Sequence, residues 1–270
     1  MGATVQTLAG RQLAVRAGIT VTARPGLTTA AVMAADVLAL LLSGWLALAI
    51  WGAVNHAFPR EPYLRLWPLI AIFLAAYAAR GLYPGVGLSP VEELRGLVAA
   101  TTAVCLVGSA FIFLSREASF SRGFLLGVWG LSAVLAPLGR AGMRGLFARR
   151  PWWGAPVVVL GAGRTGLGMV AALKSQPGLG LKPVALLDDD QDKAPECEET
   201  PLAGPLSLAP FIAERLRVRH ALVAMPELSR EQLLRVVEDN GAIFRHVIVL
   251  PDLFGMASLW VSARDVGGAL

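Results

Sequence analysis

The chain reads as four apolar segments of membrane length, all lying before about residue 140, and this constrains its fold more than any other feature. Between Arg24 and His56 the only charged side chain is Asp36. A helix over about 29–51 is therefore long enough to cross roughly 30 Å of hydrocarbon at a rise of 1.5 Å per residue. Further spans are expected over about 64–83, 97–114 and 123–139, the last bracketed by Arg122 and Arg140. With 55% of its 270 residues hydrophobic, the chain is too apolar for one ordinary water-soluble domain. The class it implies is a membrane protein carrying a soluble domain.

Charge divides the chain in the same place. Residues 1–150 hold 13 Arg, no Lys and 5 acids, whereas residues 151–270 hold 11 Lys and Arg against 14 acids. Four crossings would return the chain to its starting side, with nine arginines inside (11, 16, 24, 80, 95, 140, 144, 149, 150) and four outside (60, 65, 116, 122). The positive-inside rule then predicts that both ends are cytoplasmic and that the first span is an uncleaved anchor. Basic residues that flank apolar spans, with no interleaved aromatics for base stacking, orient a membrane protein and argue against nucleic acid as a partner. Trp51, Phe58, Tyr63 and Trp67 read as interfacial anchors around the first outer turn. Asp36 is the one acid inside a span, expected to snorkel or to hydrogen-bond between helices. Pro68 and Pro137 would kink or end their helices. The connection RGLYPGVGLSPVEELR, residues 80–95, has turn chemistry in its Pro-Gly and Ser-Pro pairs, and Ser89 with Glu92 forms a capping box with Pro90 at the first helical position.

After Arg150 the pattern changes to alternating strands and helices. Strands are expected at 157–160, 183–187, 220–225 and 246–250, and helices at 165–175, 208–217 and 230–240, the last capped by Ser229. Such alternation makes a parallel sheet with helices on both faces. The acidic stretch DDDQDKAPECEET reads as a solvated loop. Within PVVVLGAGRTGLG, Gly161, Gly163 and Gly166 have the spacing that lets backbone N–H groups and a helix N-terminus approach a pyrophosphate. Arg164 is placed to pair with a phosphate, and Asp188, 22 positions after Gly166, to take ribose hydroxyls. The same glycines also serve simply to pack a helix on a strand, and the sequence leaves both readings open.

Catalytic chemistry is not legible. The soluble half has no Tyr, its two histidines (His220, His246) open strands, and there is no nucleophile elbow. Cys105 and Cys197, with no CxxC and three histidines in all, indicate neither a disulfide framework nor a zinc site. No catalytic or metal-binding residue is assigned.

The order of parts (four spans, the loop RGLYPGVGLSPVEELR, VVVLGAGRTGLG…LLDDD, then VLPDLFGMASLWVSARDVGGAL) resembles the N-terminal region of bacterial polyprenyl-phosphate hexose-1-phosphate transferases, particularly the undecaprenyl-phosphate galactose phosphotransferase type. The resemblance implies an α-helical membrane bundle of four transmembrane helices followed by an α/β Rossmann-like parallel-sheet domain. It divides the chain into a cytoplasmic tail (1–28), a transmembrane domain (29–150), a Rossmann-like nucleotide- or CoA-binding-like domain (151–250) and a linker (251–270) toward a catalytic sugar-transferase domain not present in these residues. Family members move hexose-1-phosphate from a nucleotide sugar to undecaprenyl phosphate, initiating O-antigen or exopolysaccharide assembly at the bacterial inner membrane, with an Asp-Glu pair and Mg²⁺ in that catalytic domain. The implied role here is anchoring, homo-oligomer contact and sensing or regulation, without catalysis, and a nucleotide or nucleotide sugar is the ligand that the Gly-rich turn would take. A related layout occurs in membrane-bound NAD-dependent nucleotide-sugar dehydratases and epimerases, and a non-enzymatic membrane-tethered sensor or scaffold is the third reading. The apolar cluster Leu253, Phe254, Met256, Leu259, Trp260 and Val261 reads either as a core contact or as a strip that docks on the membrane surface.

Overall fold

A computed structural model describes residues 19, 21–55, 61–64, 67–114, 121–190, 192, 200–226, 228–229, 231–232, 235–236, 238 and 243–249. The segment 251–270 lies outside the described residues. The chain divides into two compact units, a helical one over Pro25–Arg150 and a second made of Met1–Arg24 with Pro151–Leu270.

The helical unit contains α1 (Pro25–Val54), the single turn α2 (Glu61–Leu64), α3 (Leu69–Ala79), α4 (Pro90–Leu114) and α5 (Arg122–Phe147). Three of these, α1, α4 and α5, are long and apolar enough to cross a membrane. The fourth expected span is not evident. Where a continuous helix over 64–83 was expected, a turn at Trp67–Pro68 precedes α3, and Gly81, at a φ of 69°, ends it. The 11 residues of α3 cover only about 16 Å. Proline supplies no N–H and glycine accepts the left-handed conformation, so both ends of α3 are set by residue chemistry. Helix α4 begins at Pro90, as the capping box predicts, with the Ser89 hydroxyl accepting the Glu92 N–H at 3.1 Å, while α1 and α5 are longer than the spans expected, α5 running through Pro137 to Phe147.

Helices α1 and α5 meet along small side chains. Ala35, Ala39, Ser43 and Ala47 line α1 at four-residue spacing, and Ser132, Ala136 and Arg140 line α5 in the same way, all of them buried. A side chain at Gly139 would reach the Ala35 carbonyl at 3.6 Å, so the backbones approach closely, as helices do where water provides no driving force between them. The outward faces are apolar instead of charged: Leu38, Trp45, Val107, Phe111 and Phe113 are all largely exposed, which is compatible with a lipid environment. Tyr63, expected at an interface, is buried; it packs edge-on against Phe124 at 4.4 Å and its hydroxyl accepts the Ser121 N–H at 2.7 Å.

The seam ends in a buried ionic cluster. Arg140 Nε and Nη2 donate to the two carboxylate oxygens of Asp36 at 2.9 and 2.6 Å, a bidentate pair. Its Nη1 donates to Glu93 Oε1 at 2.9 Å and to the Leu82 carbonyl at 3.0 Å. Arg144 meets Glu93 Oε2 at 2.6 Å and donates to the Gly85 carbonyl at 3.0 Å, while the Tyr83 hydroxyl donates to Asp36 Oδ2 at 2.6 Å. Two carboxylates and two guanidinium groups balance formally, so the cluster as a whole is neutral. Asp36 is thus an interhelical hydrogen-bonding residue, and the 80–95 loop is held by its backbone carbonyls to α5.

The second unit is a five-stranded, all-parallel sheet in the order β3-β2-β1-β4-β5, with β1 Ala155–Leu160, β2 Leu181–Leu187, β3 Leu202–Gly204, β4 His220–Val223 and β5 His246–Val249. Helices α6 (Arg164–Ser175) and α7 (Ala209–Leu216) cover opposite faces. Val158, Leu160, Ala185, Leu187 and Val223 meet Ile212 and Ala213 of α7, and Val157, Val159, Leu186 and Leu222 meet Met169, Val170 and Leu173 of α6. All six residues of β1 are buried because this central strand is covered on both sides, which is why it reads as a continuous apolar run. The edge strand β3 has three residues, too few for any sequence period to show, and follows the acidic stretch. The expected cap at Ser229 is present: its hydroxyl accepts the Gln232 N–H at 3.3 Å and Gln232 Oε1 accepts the Ser229 N–H at 2.9 Å.

Candidate functional site

The strand order places a switch point between β1 and β4. From β1 the chain moves outward to β2 and β3, then returns to the other side for β4 and β5, so the loops leaving β1 and β4 diverge at the C-terminal edge of the sheet. Open α/β sheets bind ligands in this crevice. The turn that occupies it is 161–163, with α6 starting at Arg164.

The three glycines of the turn have separable roles. Gly161 takes a φ of 102°, and a Cβ there would stand 2.7 Å from Met225 Cγ and 2.8 Å from the Ala224 carbonyl oxygen. Gly166, on the first turn of α6, lies against the Gly161 carbonyl, and a Cβ would overlap that oxygen. These two are therefore required to seat α6 and the segment after β4 on the turn. Gly163 is different. It has an ordinary negative φ of −71°, and a Cβ added to it meets nothing within 4 Å. Packing accounts for two of the glycines and leaves the third, at the cap of α6, with one face open to solvent. Among the described residues no side chain caps α6 there, which leaves the N–H groups of its first turn open to an approaching group.

Asp188 directly follows β2, and its carboxylate reaches back to the turn: Oδ2 accepts the Ala162 N–H at 2.7 Å and Oδ1 accepts the Asp190 N–H at 2.9 Å. Asp189 Oδ1 accepts the Leu206 N–H at 3.0 Å. Arg164 is exposed at the first position of α6. The structure thus brings Gly161, Gly163, Arg164, Gly166 and Asp188 to one edge of the sheet.

A family model described as a CoA-binding domain matches residues 78–249, more than half of the chain. The chain belongs to this CoA-binding domain family. The match starts in α3, takes in the 80–95 loop, α4 and α5, and closes at the end of β5, so the family unit includes helices as well as the sheet. Among solved structures, UDP-D-quinovosamine 4-dehydrogenase from Vibrio fischeri is similar over 37% of this chain and 80% of its own, at 23% identity and a TM-score of 0.34. No curated protein matches the chain.

The histidines stand away from the turn. His220 and His246 pair in register at the opposite, N-terminal edge of the sheet and stack at 4.8 Å between ring centroids. Burial first, then the neighbouring His246 and Arg219, push the His220 pKa down to about 4. The unfolded chain therefore binds a proton more readily than the folded one between pH 6.5 and about 4, and stability is lost as pH falls through that window and is level below it. We expect up to about 3 kcal/mol of acid-linked destabilisation from this residue. His220→Gln should flatten the difference when thermal melts are compared from pH 7 to pH 4; an unchanged slope would show that His220 titrates normally.

Of the residues in the buried cluster, the sequence read Arg140 and Arg144 only as flanking positive charge and did not single out Glu93 or Tyr83. For Arg140 the available signal is spacing, since it continues the Ser132–Ala136 row, the same i, i+4 face that α5 turns to α1.

Proposed function

We propose that the chain is a membrane-tethered nucleotide-binding module, the accessory portion of a polyprenyl-phosphate hexose-1-phosphate transferase of the undecaprenyl-phosphate galactose phosphotransferase type. The observation that carries the binding half is Gly163: the one glycine of the turn that packing leaves unexplained lies at the switch-point edge of the sheet, with its face open where a diphosphate would approach the N–H groups of α6. In this reading Gly161 and Gly166 hold the turn's shape, Arg164 pairs with a phosphate and Asp188 accepts ribose hydroxyls.

Three helices of crossing length supply the tether, and the arginines that end α5 and follow it (Arg144, Arg149 and Arg150) support a bacterial cytoplasmic membrane with the sheet unit on the inner side. The transfer of hexose-1-phosphate from nucleotide sugar to undecaprenyl phosphate rests on the resemblance carried by the 80–95 loop and the 250–270 segment. The described residues contribute binding and anchoring to it, with no proton-handling pair at the turn and no group of three His, Cys, Asp or Glu that would hold Mg²⁺.

Titration of the detergent-solubilised chain with UDP-sugars, NAD⁺ and coenzyme A, followed by hydrogen exchange, should show saturable protection of 161–166. Gly163→Ala should weaken binding at least tenfold while changing stability by no more than about 1 kcal/mol, the cost of alanine at a helix cap. Absence of protection by every nucleotide would remove the reading.

A further inference from the structure

Resting on the membrane tether of that reading and not on its nucleotide site, we infer that the edge where the strands of the sheet begin is a docking surface for anionic phospholipid headgroups. The opposite edge, with the Gly-rich turn, is thereby held away from the bilayer.

Chain connectivity selects this edge. The residues 148–154 join α5 to the entry of β1, a reach of at most about 25 Å. The other passage starts from the same place. Ile19 packs against the core cluster that α7 covers, Ala23 is buried, and the Arg24 N–H donates to the Trp152 carbonyl at 2.8 Å, just before β1. Pro25, the next residue, opens α1. Both crossing-length helices that adjoin the sheet unit in sequence are therefore joined to it where its strands begin.

Residues remote in the chain bring positive charge to that edge. Arg219 and Arg245 directly precede β4 and β5, whose first residues, His220 and His246, pair in register, and the His246 N–H donates to the Arg219 carbonyl at 3.0 Å. Arg217 stands just before them, and all three arginines are exposed. Lys182 enters β2 with its Nζ donating to the carbonyl of Pro151, which follows Arg149 and Arg150 in the chain. The described acids closest to Arg217 and Arg245 in sequence are Glu214 and Glu238, two against six basic residues. Charge that merely orients a span lies within about 15–20 residues of its end. Arg217 stands 70 positions after Phe147, so membrane insertion does not account for it, nor for Arg219 and Arg245. At the other edge Asp188, Asp189, Asp190 and Asp192 follow β2. An anionic leaflet attracts the first edge and repels the second, and each arginine within a Debye length of it contributes about fivefold in affinity.

The full chain in nanodiscs tests this, with a fluorophore on one introduced cysteine after Cys105 and Cys197 are replaced by alanine. Gln176→Cys, just past the end of α6, puts the label at the strand-entry edge, and Arg164→Cys puts it at the other end of the same helix, about 18 Å away. Lipid that carries a nitroxide on its headgroup quenches a label that reaches the surface. With about 30% phosphatidylglycerol the Gln176→Cys label should be quenched at least twofold more than the Arg164→Cys label, and the difference should vanish in phosphatidylcholine alone or at about 500 mM salt. Combining Arg217→Gln, Arg219→Gln and Arg245→Gln should abolish it as well, whereas lysine at the same three positions should preserve it. Quenching that ignores lipid charge, the result expected of an edge that meets an acidic protein instead, would overturn the inference and leave the nucleotide site standing, as would a glutamine triple variant that behaves like wild type. A chain that does not stay with the nanodiscs would remove the tether and the inference together.

Discussion

Arg140→Leu is expected to unfold the helical unit or to lower its stability by about 3–5 kcal/mol, the cost of leaving a buried carboxylate without its partner. Arg140 is the centre of the cluster, bonded to Asp36, Glu93 and the Leu82 carbonyl, and both it and Asp36 are almost wholly buried. Among the described residues, its removal leaves Asp36 with only the Tyr83 hydroxyl, whereas Glu93 retains Arg144. Asp36→Asn in the Arg140→Leu background should therefore recover more than half of the loss, because the uncompensated charge is gone. Thermal melts of detergent-solubilised protein read by size-exclusion chromatography would measure both. A single variant that melts with wild type would show that the cluster is solvated in the membrane, and a double variant worse than the single would show that Asp36 is stabilised by something other than Arg140.

Gly166→Val is the second large effect, at about 3 kcal/mol or more. A Cβ at this position overlaps the Gly161 carbonyl oxygen, which is backbone and cannot rotate aside, and Gly161 is itself pinned between Ala224 and Met225. The comparison that makes this specific is Gly168→Ala, two residues on, where an added Cβ meets nothing within 4 Å. That change should stabilise α6 by up to about 1 kcal/mol through helix propensity alone. Hydrogen exchange of the β1 peptide would report both, faster in the first and unchanged or slower in the second. Equal tolerance at the two positions would mean that α6 does not pack on the turn as described.

The sheet was legible because each of its main parts leaves a period or a run that follows from burial. β1 and β2 read as apolar runs since both faces of a central parallel strand are covered, and the Ser229 cap was visible as residue chemistry at the start of an amphipathic segment. Edge strand β3 was not, because three residues carry no period and its pairing to Leu186 and Leu187 is set by the neighbour. In the helical unit hydropathy found the long helices but misjudged the second span, since a window average over 64–83 cannot see that Pro68 and Gly81 confine the helix to 11 residues. Arg140 was read as a boundary because a lone arginine after an apolar run ordinarily marks the membrane edge. Only Asp36 and Glu93, 104 and 47 positions away, turn it into an interior residue.

At the candidate site the sequence alone determined the identities and spacing: three glycines, an arginine and an aspartate that one strand-turn-helix unit and its following strand bring to a single edge. Which glycines serve packing and which leaves an approach open was decided by the tertiary structure, because that depends on where Ala224, Met225 and the Gly161 carbonyl come to rest. Local chemistry fixes the conformations that a short segment prefers. Space and charge compensation belong to contacts between segments distant in the chain, and these arise only when the elements pack.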